Sequence, residues 1–210
     1  MTIYQLDVAP SFECNIYLVV GDTGAVLIDA GAGTAASLQI VQTRRLLNGV
    51  PLFGILLTHC HADHCGGVPA FQAAFGCPVR IGAADLPPLR DGDDSITAPL
   101  GLTSPPPIAA HPLNEGDLID LSPMHRLRVI TTPGHTAGGV CFYDEVTRGL
   151  FSGDTVFGRT DFPTGSNVDM RQSLCKLLNV NIGSLYPGHG SVVLNGAAEV
   201  EQANAMMDGL

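Results

Sequence analysis

Residues 58–67 read THCHADHCGG, which puts three histidines and an aspartate between positions 59 and 64 of a 210-residue chain that holds seven histidines in all. A solvated loop does not need them, and a core strand would avoid them. Histidine is the commonest metal ligand because its neutral imidazole offers a lone pair near pH 7. His59 and His61 are two apart, so an extended segment points both to one side, where they can grip one ion. Cys60 then alternates to the other side and packs. Asp63 and His64 lie just beyond, where a turning chain can offer them to a second ion, with Asp63 bringing neutralising charge. Gly66-Gly67 is expected to let the backbone turn tightly and start a helix.

Three later segments repeat one form: an apolar strand, small turn residues, then a single ligand-type side chain. They are TPGHTAGG with His135, FSGDTVFG with Asp154 and YPGHGS with His189. Strand ends along one sheet edge would bring them together. With the first cluster they make five histidines and two aspartates, about what two four- to five-coordinate ions need when a carboxylate bridges them. Alone, His135 or His189 would read as ordinary packing, and His111 and His125 are given no role. A purely structural zinc site prefers cysteine thiolates, whereas this set is all nitrogen and oxygen.

The rest of the chain supplies the frame. Ile3–Val8, Asn15–Val20 and Ala25–Asp29 read as strands, the last two joined by a Gly-Asp-Thr-Gly hairpin. Helices are expected at Thr34–Leu47, Val68–Phe75, Asp169–Leu178 and Ala197–Met207, with a brief one at Ala83–Leu86 before Pro87-Pro88. Further strands are expected at Gly54–Leu57, Val79–Ile81, Asp117–Leu121, Arg126–Thr131, Val140–Tyr143, Gly149–Phe151 and Ser184–Tyr186. Asp91–Pro112 carries five prolines and little periodicity, and reads as a long loop, either functional or a surface excursion. The order of elements fits an α/β chain of two packed sheets with helices outside, an αβ/βα sandwich.

Apolar residues make up 45% of the chain, enough for a well-filled core without disulfides. The formal net charge of −10, with Lys176 the one lysine, argues against nucleic acid and anionic membranes as partners. No leader-like or membrane-spanning segment is apparent, and the six cysteines form no CxxC pair. Free, buried thiols and a cytoplasmic location are therefore expected.

The combined pattern, His59-Cys60-His61-Ala62-Asp63-His64 with His135, Asp154, His189 and the upstream LIDAG at 27–31, resembles the metallo-β-lactamase fold superfamily. The stretch SGDTVFGRTDFPTGS resembles its short glyoxalase II-like branch (hydroxyacylglutathione hydrolase-like). The resemblance implies a single domain over residues 1–210, a four-layer αβ/βα sandwich with metals at one sheet edge. In one departure from full-length glyoxalase II, which carries a C-terminal helical domain that helps bind glutathione, this chain is expected to lack that domain. The resemblance assigns His59, His61 and His135 to a first metal, and Asp63, His64 and His189 to a second, with Asp154 bridging. Asp29 would orient the histidine loop, while Arg159 and Asp161 would position substrate or brace their own loop. The implied cofactors are two divalent metal ions, zinc first, with iron or manganese as alternatives. The implied partner is a small-molecule substrate.

These features point to thioester hydrolysis by metal-activated water, with Asp63 accepting a proton; no GxSxG nucleophile motif is present. The alternatives are a mononuclear iron persulfide dioxygenase on His59, His135 and Asp154, a lactonase, or a metal-binding protein without catalysis.

Overall fold

Two sheets stack face to face with helices on both outer surfaces. The computed structural model describes residues 1–7, 13–98, 103–157 and 165–207. The first sheet holds β1 (Thr2–Gln5), β2 (Tyr17–Val20), β3 (Ala25–Ile28), β4 (Leu52–Leu56), β5 (Val79–Gly82) and β6 (His111–Leu113), in that spatial order. The second runs in the order β11-β10-β9-β8-β7, from β7 (Leu118–Asp120), β8 (Arg126–Thr131), β9 (Val140–Asp144), β10 (Gly149–Gly153) and β11 (Ser184–Pro187). The helices are α1 (Ala36–Leu47), α2 (Ala62–Cys65), α3 (Val68–Phe75), α4 (Leu86–Asp91), α5 (Asp94–Thr97), α6 (Asn167–Leu177) and α7 (Gly196–Met207).

Strand periodicity divides the apolar residues among three cores. Tyr17, Val19, Val26, Ile28 and Leu56 of the first sheet meet Leu127, Val129, Phe142 and Phe151 of the second. Their neighbours Leu18, Leu27 and Ile55 face the other way, into a core closed by Leu47, Val68 and Phe71. On the far side of the second sheet, Ile130, Cys141 and Leu150 pack against Met170, Leu174 and Val200. Strands covered on both faces carry near-continuous apolar runs, and the four layers match the expected sandwich.

The strand directions place the site. β3 and β4 are parallel, as are β10 and β11, and β8 is antiparallel to β9, which is antiparallel to β10. The C-terminal ends of β3, β4, β8, β10 and β11 therefore share one edge. Asp29, His59, His135, Asp154 and His189 follow those ends.

Several expectations need correction. The brief helix does not stop at Pro87-Pro88: a 3-10 turn at Ala83–Asp85 leads into α4, where the prolines occupy its first turn. Proline is tolerated there because those N–H groups have no helical partner. Residues 91–112 are not a plain loop either. Asp93 caps α5, its side chain accepting from the Ser95 N–H at 3.1 Å, and β6 pairs with β5 as an edge strand. An edge position tolerates Pro112. Residues 99–102 of that stretch lie outside the described residues, as does Val8, the expected end of the first strand. All six cysteines are free, but Cys175 is exposed and the other five are buried. Among the described residues no helix is long and apolar enough to cross a membrane.

Candidate metal centre

β4 ends at Leu56, the chain bends at Thr58 and His59, and His61 is extended before one helical turn, α2, begins with the His64 and Cys65 N–H groups both donating to the His61 carbonyl. His61 then faces His59 and His135, Asp63 faces His189, and the His64 ring lies 4.0 Å from that of His59. The two glycines that follow have ordinary right-handed backbone angles, so a special turn is not their purpose. They allow close approach instead. A Cβ on Gly66 would fall 2.5 Å from the Ala32 carbonyl oxygen, and one on Gly67 2.1 Å from that of Ala30. The loop after β3 thereby seats directly on the histidine segment.

That loop carries Asp29, which sits at φ 58, a left-handed angle that aspartate tolerates better than most side chains. Its Oδ1 accepts from the Thr58 N–H at 2.8 Å, and its Oδ2 from the Thr58 hydroxyl at 2.8 Å. His64 Nδ1 lies 2.8 Å from Oδ2, and His59 Nδ1 lies 3.1 Å from the Thr58 hydroxyl oxygen. Since a carboxylate only accepts, these contacts place hydrogens on Nδ1 of both rings. Nε2 of each is left for a cation.

The expected ligands converge. His61 Nδ1 lies 3.0 Å from His59 Nε2 and 3.0 Å from His135 Nε2, and all three residues are buried. Asp63, His64 and His189 form a second group, with His189 Nε2 3.1 Å from Asp63 Oδ2. Asp154 stands between the groups. Its Oδ2 is 3.5 Å from His135 Nε2 and 3.7 Å from His189 Nε2, while its Oδ1 is 3.4 Å from His64 Nε2. Within each group of three the ligand atoms lie within 4.8 Å of one another.

The electrostatics suit cations. Burial first, then the neighbouring histidines, holds His59 well below the ordinary imidazole value, and the same causes bring His61 down to about 3. Both are therefore neutral near pH 7, the form in which an imidazole can bind a metal. Burial pushes the Asp154 carboxyl up, but His64, His135 and His189 outweigh it and keep it far below the usual range. For Asp63, burial is likewise overcome by His64 and by the hydrogen bond from His189. Burial opposes charge on His64, yet Cys14, Asp154, Asp29 and Asp63 around it raise it well above the ordinary value. A pocket that favours a proton so strongly is a pocket of negative potential.

The residues present fit divalent ions on two counts. His64 Nε2 and Asp154 Oδ1 are buried 3.4 Å apart, within ion-pair range but outside hydrogen-bond geometry, and a shared cation would satisfy both. The nitrogen spacings near 3.0 Å also approach the roughly 3.3 Å edge of a tetrahedron with metal–nitrogen bonds of about 2.0–2.1 Å.

His125 and His111 stay apart, as expected: His125 pairs with Asp144 at 3.2 Å, and His111 lies on the exposed edge strand. Arg159 and Asp161 lie outside the described residues. The sequence reading missed two residues. Thr58 links Asp29 to His59. Asp85, 2% exposed, accepts from the Cys60 N–H at 3.1 Å, the Thr136 hydroxyl at 2.7 Å and the Gly138 N–H at 2.7 Å. It ties the loop of His59 and His61 to the loop of His135. Its segment, VRIGAAD, has the same form of strand, small residues and carboxylate that marked the other sites, so the signal was present.

Comparison with known proteins agrees with this geometry. Residues 10–192 match the model of the metallo-beta-lactamase superfamily. A "Probable metallo-hydrolase" of Methanocaldococcus jannaschii is 32% identical over 191 residues, covering 86% of this chain and 89% of that one. A hydroxyacylglutathione hydrolase of Bdellovibrio bacteriovorus is 33% identical over 158 residues, 73% of this chain and 53% of that protein. The crystal structure of TTHA1623 in a di-iron-bound form superposes with a TM-score of 0.76 at 34% identity, covering 92% of this chain and 96% of that one. The fold, the convergent histidines and aspartates, and these likenesses together show that the chain belongs to the metallo-beta-lactamase superfamily, whose fold implies divalent metal binding.

Proposed function

We propose that this protein is a metal-dependent hydrolase of thioesters. The observation that carries the reading is Asp154, whose Oδ2 lies near His135 of one ligand group and His189 of the other, while its Oδ1 faces His64 of the second. His59 Nε2, His61 Nδ1 and His135 Nε2 would hold one ion, and Asp63, His64 Nε2 and His189 the second, with Asp154 shared. Zinc is the first choice, and iron or manganese suits the same donors. Two such cations, when bound, make a shared water acidic enough to ionise near neutral pH and stabilise charge on a carbonyl oxygen.

The chain's own residues supply the rest. Asp63, held ionised by His64 and His189, is placed to accept a proton from water. A C–O bond forms at the carbonyl carbon, the C–S bond breaks, and the thiolate leaves with the electron pair and takes up the proton. A thiolate needs little acid assistance to leave. The likeness to a hydroxyacylglutathione hydrolase supports thioesters over other substrates. A mononuclear dioxygenase would leave His61, His64 and His189 without a task, although they converge with the rest. We further read the chain as one cytoplasmic domain acting on a small molecule.

The test is hydrolysis of S-lactoylglutathione and other thioesters by metal-loaded and chelator-treated protein, beside lactone hydrolysis and oxygen uptake with a persulfide. Chelator-sensitive thiol release supports the reading. Oxygen consumption without thiol release would replace it.

A further inference from the structure

A cavity of about 450 Å³ opens between the second sheet and α7, well within the size range of small-molecule sites. Leu185, Val193 and Ala203 line it, Val156 and Met206 flank them, and His189 stands at its wall. Leu185 and Ala203 are buried in the outer core, while Met206 is 61% exposed. The face of α7 turned to the cavity follows helical spacing: Glu199, Gln202, Ala203 and Met206. Among the described lining residues there is no lysine or arginine, and Glu199 is the one carboxylate.

Two residues join this cavity to the metal centre. His189 belongs to both, its Nε2 3.1 Å from Asp63, and Gly153 lines the cavity while its neighbour Asp154 lies between the ligand groups. His189 is thus a wall shared by the cavity and the candidate metal centre, and a chain seated in the cavity can carry its head group beside it. Most of the described lining is apolar, with a flexible methionine on its flank and Ser191, Gln202 and Glu199 as its polar members beside His189, so it suits a neutral hydrocarbon chain. Glu199 works against a chain that ends in a carboxylate.

We infer that the cavity between β11 and α7 is the acyl subsite, and that the substrates are thioesters of neutral, straight, medium-length acyl groups. This rests on the thioesterase reading and names its substrate class. Each added methylene that enters the cavity should raise kcat/KM by about fourfold until it is full.

The experiment compares acetyl, butanoyl, hexanoyl and octanoyl thioesters of one thiol, together with a thioester of a dicarboxylic acid, on the metal-loaded protein. The expected result is a rise in kcat/KM with chain length, carried mainly by KM, and discrimination against the dicarboxylic substrate. Ala203→Phe, which fills the cavity, should flatten the rise while sparing the acetyl substrate. Met206→Asp, at an exposed position that does not threaten folding, should lower the octanoyl rate selectively. Acetyl turnover without a chain-length trend, or a trend unchanged in both variants, overturns the proposal. If no thioester is turned over, the thioesterase reading fails, and binding of 1-octanol then decides the cavity alone. Shifts of the Val193 and Met206 methyl NMR signals on adding octanol support an apolar-chain site, and their absence overturns it.

Discussion

Asp29 Oδ2 lies 2.8 Å from His64 Nδ1, while the opposite nitrogen of the same ring faces Asp154 at 3.4 Å. The imidazole is thus held between a carboxylate that fixes its hydrogen and one that shares its ligand side. Such outer partners set ring orientation and basicity in metal sites. Asp29→Asn keeps the shape and tolerates the left-handed backbone, but turns an acceptor into a possible donor. Zinc affinity is expected to fall about 10- to 100-fold, with the fold intact. Competition with a chromophoric chelator measures it, and unchanged affinity would remove Asp29 from the account.

Asp85 acts at the other end of the site. Asp85→Asn faces three donors with one oxygen fewer, so at least one buried N–H or hydroxyl loses its acceptor. The expected cost is about 1–3 kcal/mol in denaturant unfolding. Metal held by His59, His61 and His135 should also be released more readily, because their two loops are no longer tied. A variant with wild-type stability and wild-type metal retention would contradict this role.

Gly188 offers a steric test. A Cβ there would lie 2.2 Å from Asp154 Oδ1 and 2.8 Å from His64 Cε1. Gly188→Ala should fold, since its backbone angle is not of the left-handed kind, yet it must displace the shared carboxylate. Metal content and hydrolysis are expected to drop together while circular dichroism stays unchanged. Full metal content would show that Asp154 has room to move.

Most of the candidate site was legible in the sequence because its residues lie in one dense cluster after β4 and in loops just after other strand ends, where local pattern and chemistry coincide. His59, His61, Asp63, His64, His135, Asp154 and His189 all converge. Asp85 shares that local form, but its role could not be read locally, because its partners lie 25, 51 and 53 residues away and only the fold brings them together. The prolines of 87–112 misled for a different reason. Proline breaks a helix interior or a central strand, but here it occupies a helix's first turn and an edge strand. The purpose of Gly66-Gly67 was likewise hidden, since close approach depends on a loop more than thirty residues earlier.

A pH test is available away from the metals. Burial pushes the Glu115 carboxyl up, but hydrogen bonds from Thr131 and Lys176 outweigh it and hold it below the ordinary glutamate value. A depressed carboxylate stabilises the fold above its unfolded value and loses that contribution as pH falls through the folded one. The Lys176 ammonium lies 3.1 Å from Glu115, and both side chains are about half exposed, so the contribution is small, about 0–1 kcal/mol. Glu115→Gln should be slightly less stable than wild type at neutral pH, with the gap closing at acid pH. Urea titrations at both pH values check it, and a gap that widens in acid would contradict the assignment.

The most direct measurement is native mass spectrometry of the zinc-loaded protein and of Asp154→Ala, with thioester hydrolysis followed in parallel. The account predicts two ions on each wild-type chain, with loss of metal and of activity together in the variant. A wild-type chain that binds no metal, or an Asp154→Ala chain that keeps both ions and full activity, would contradict it.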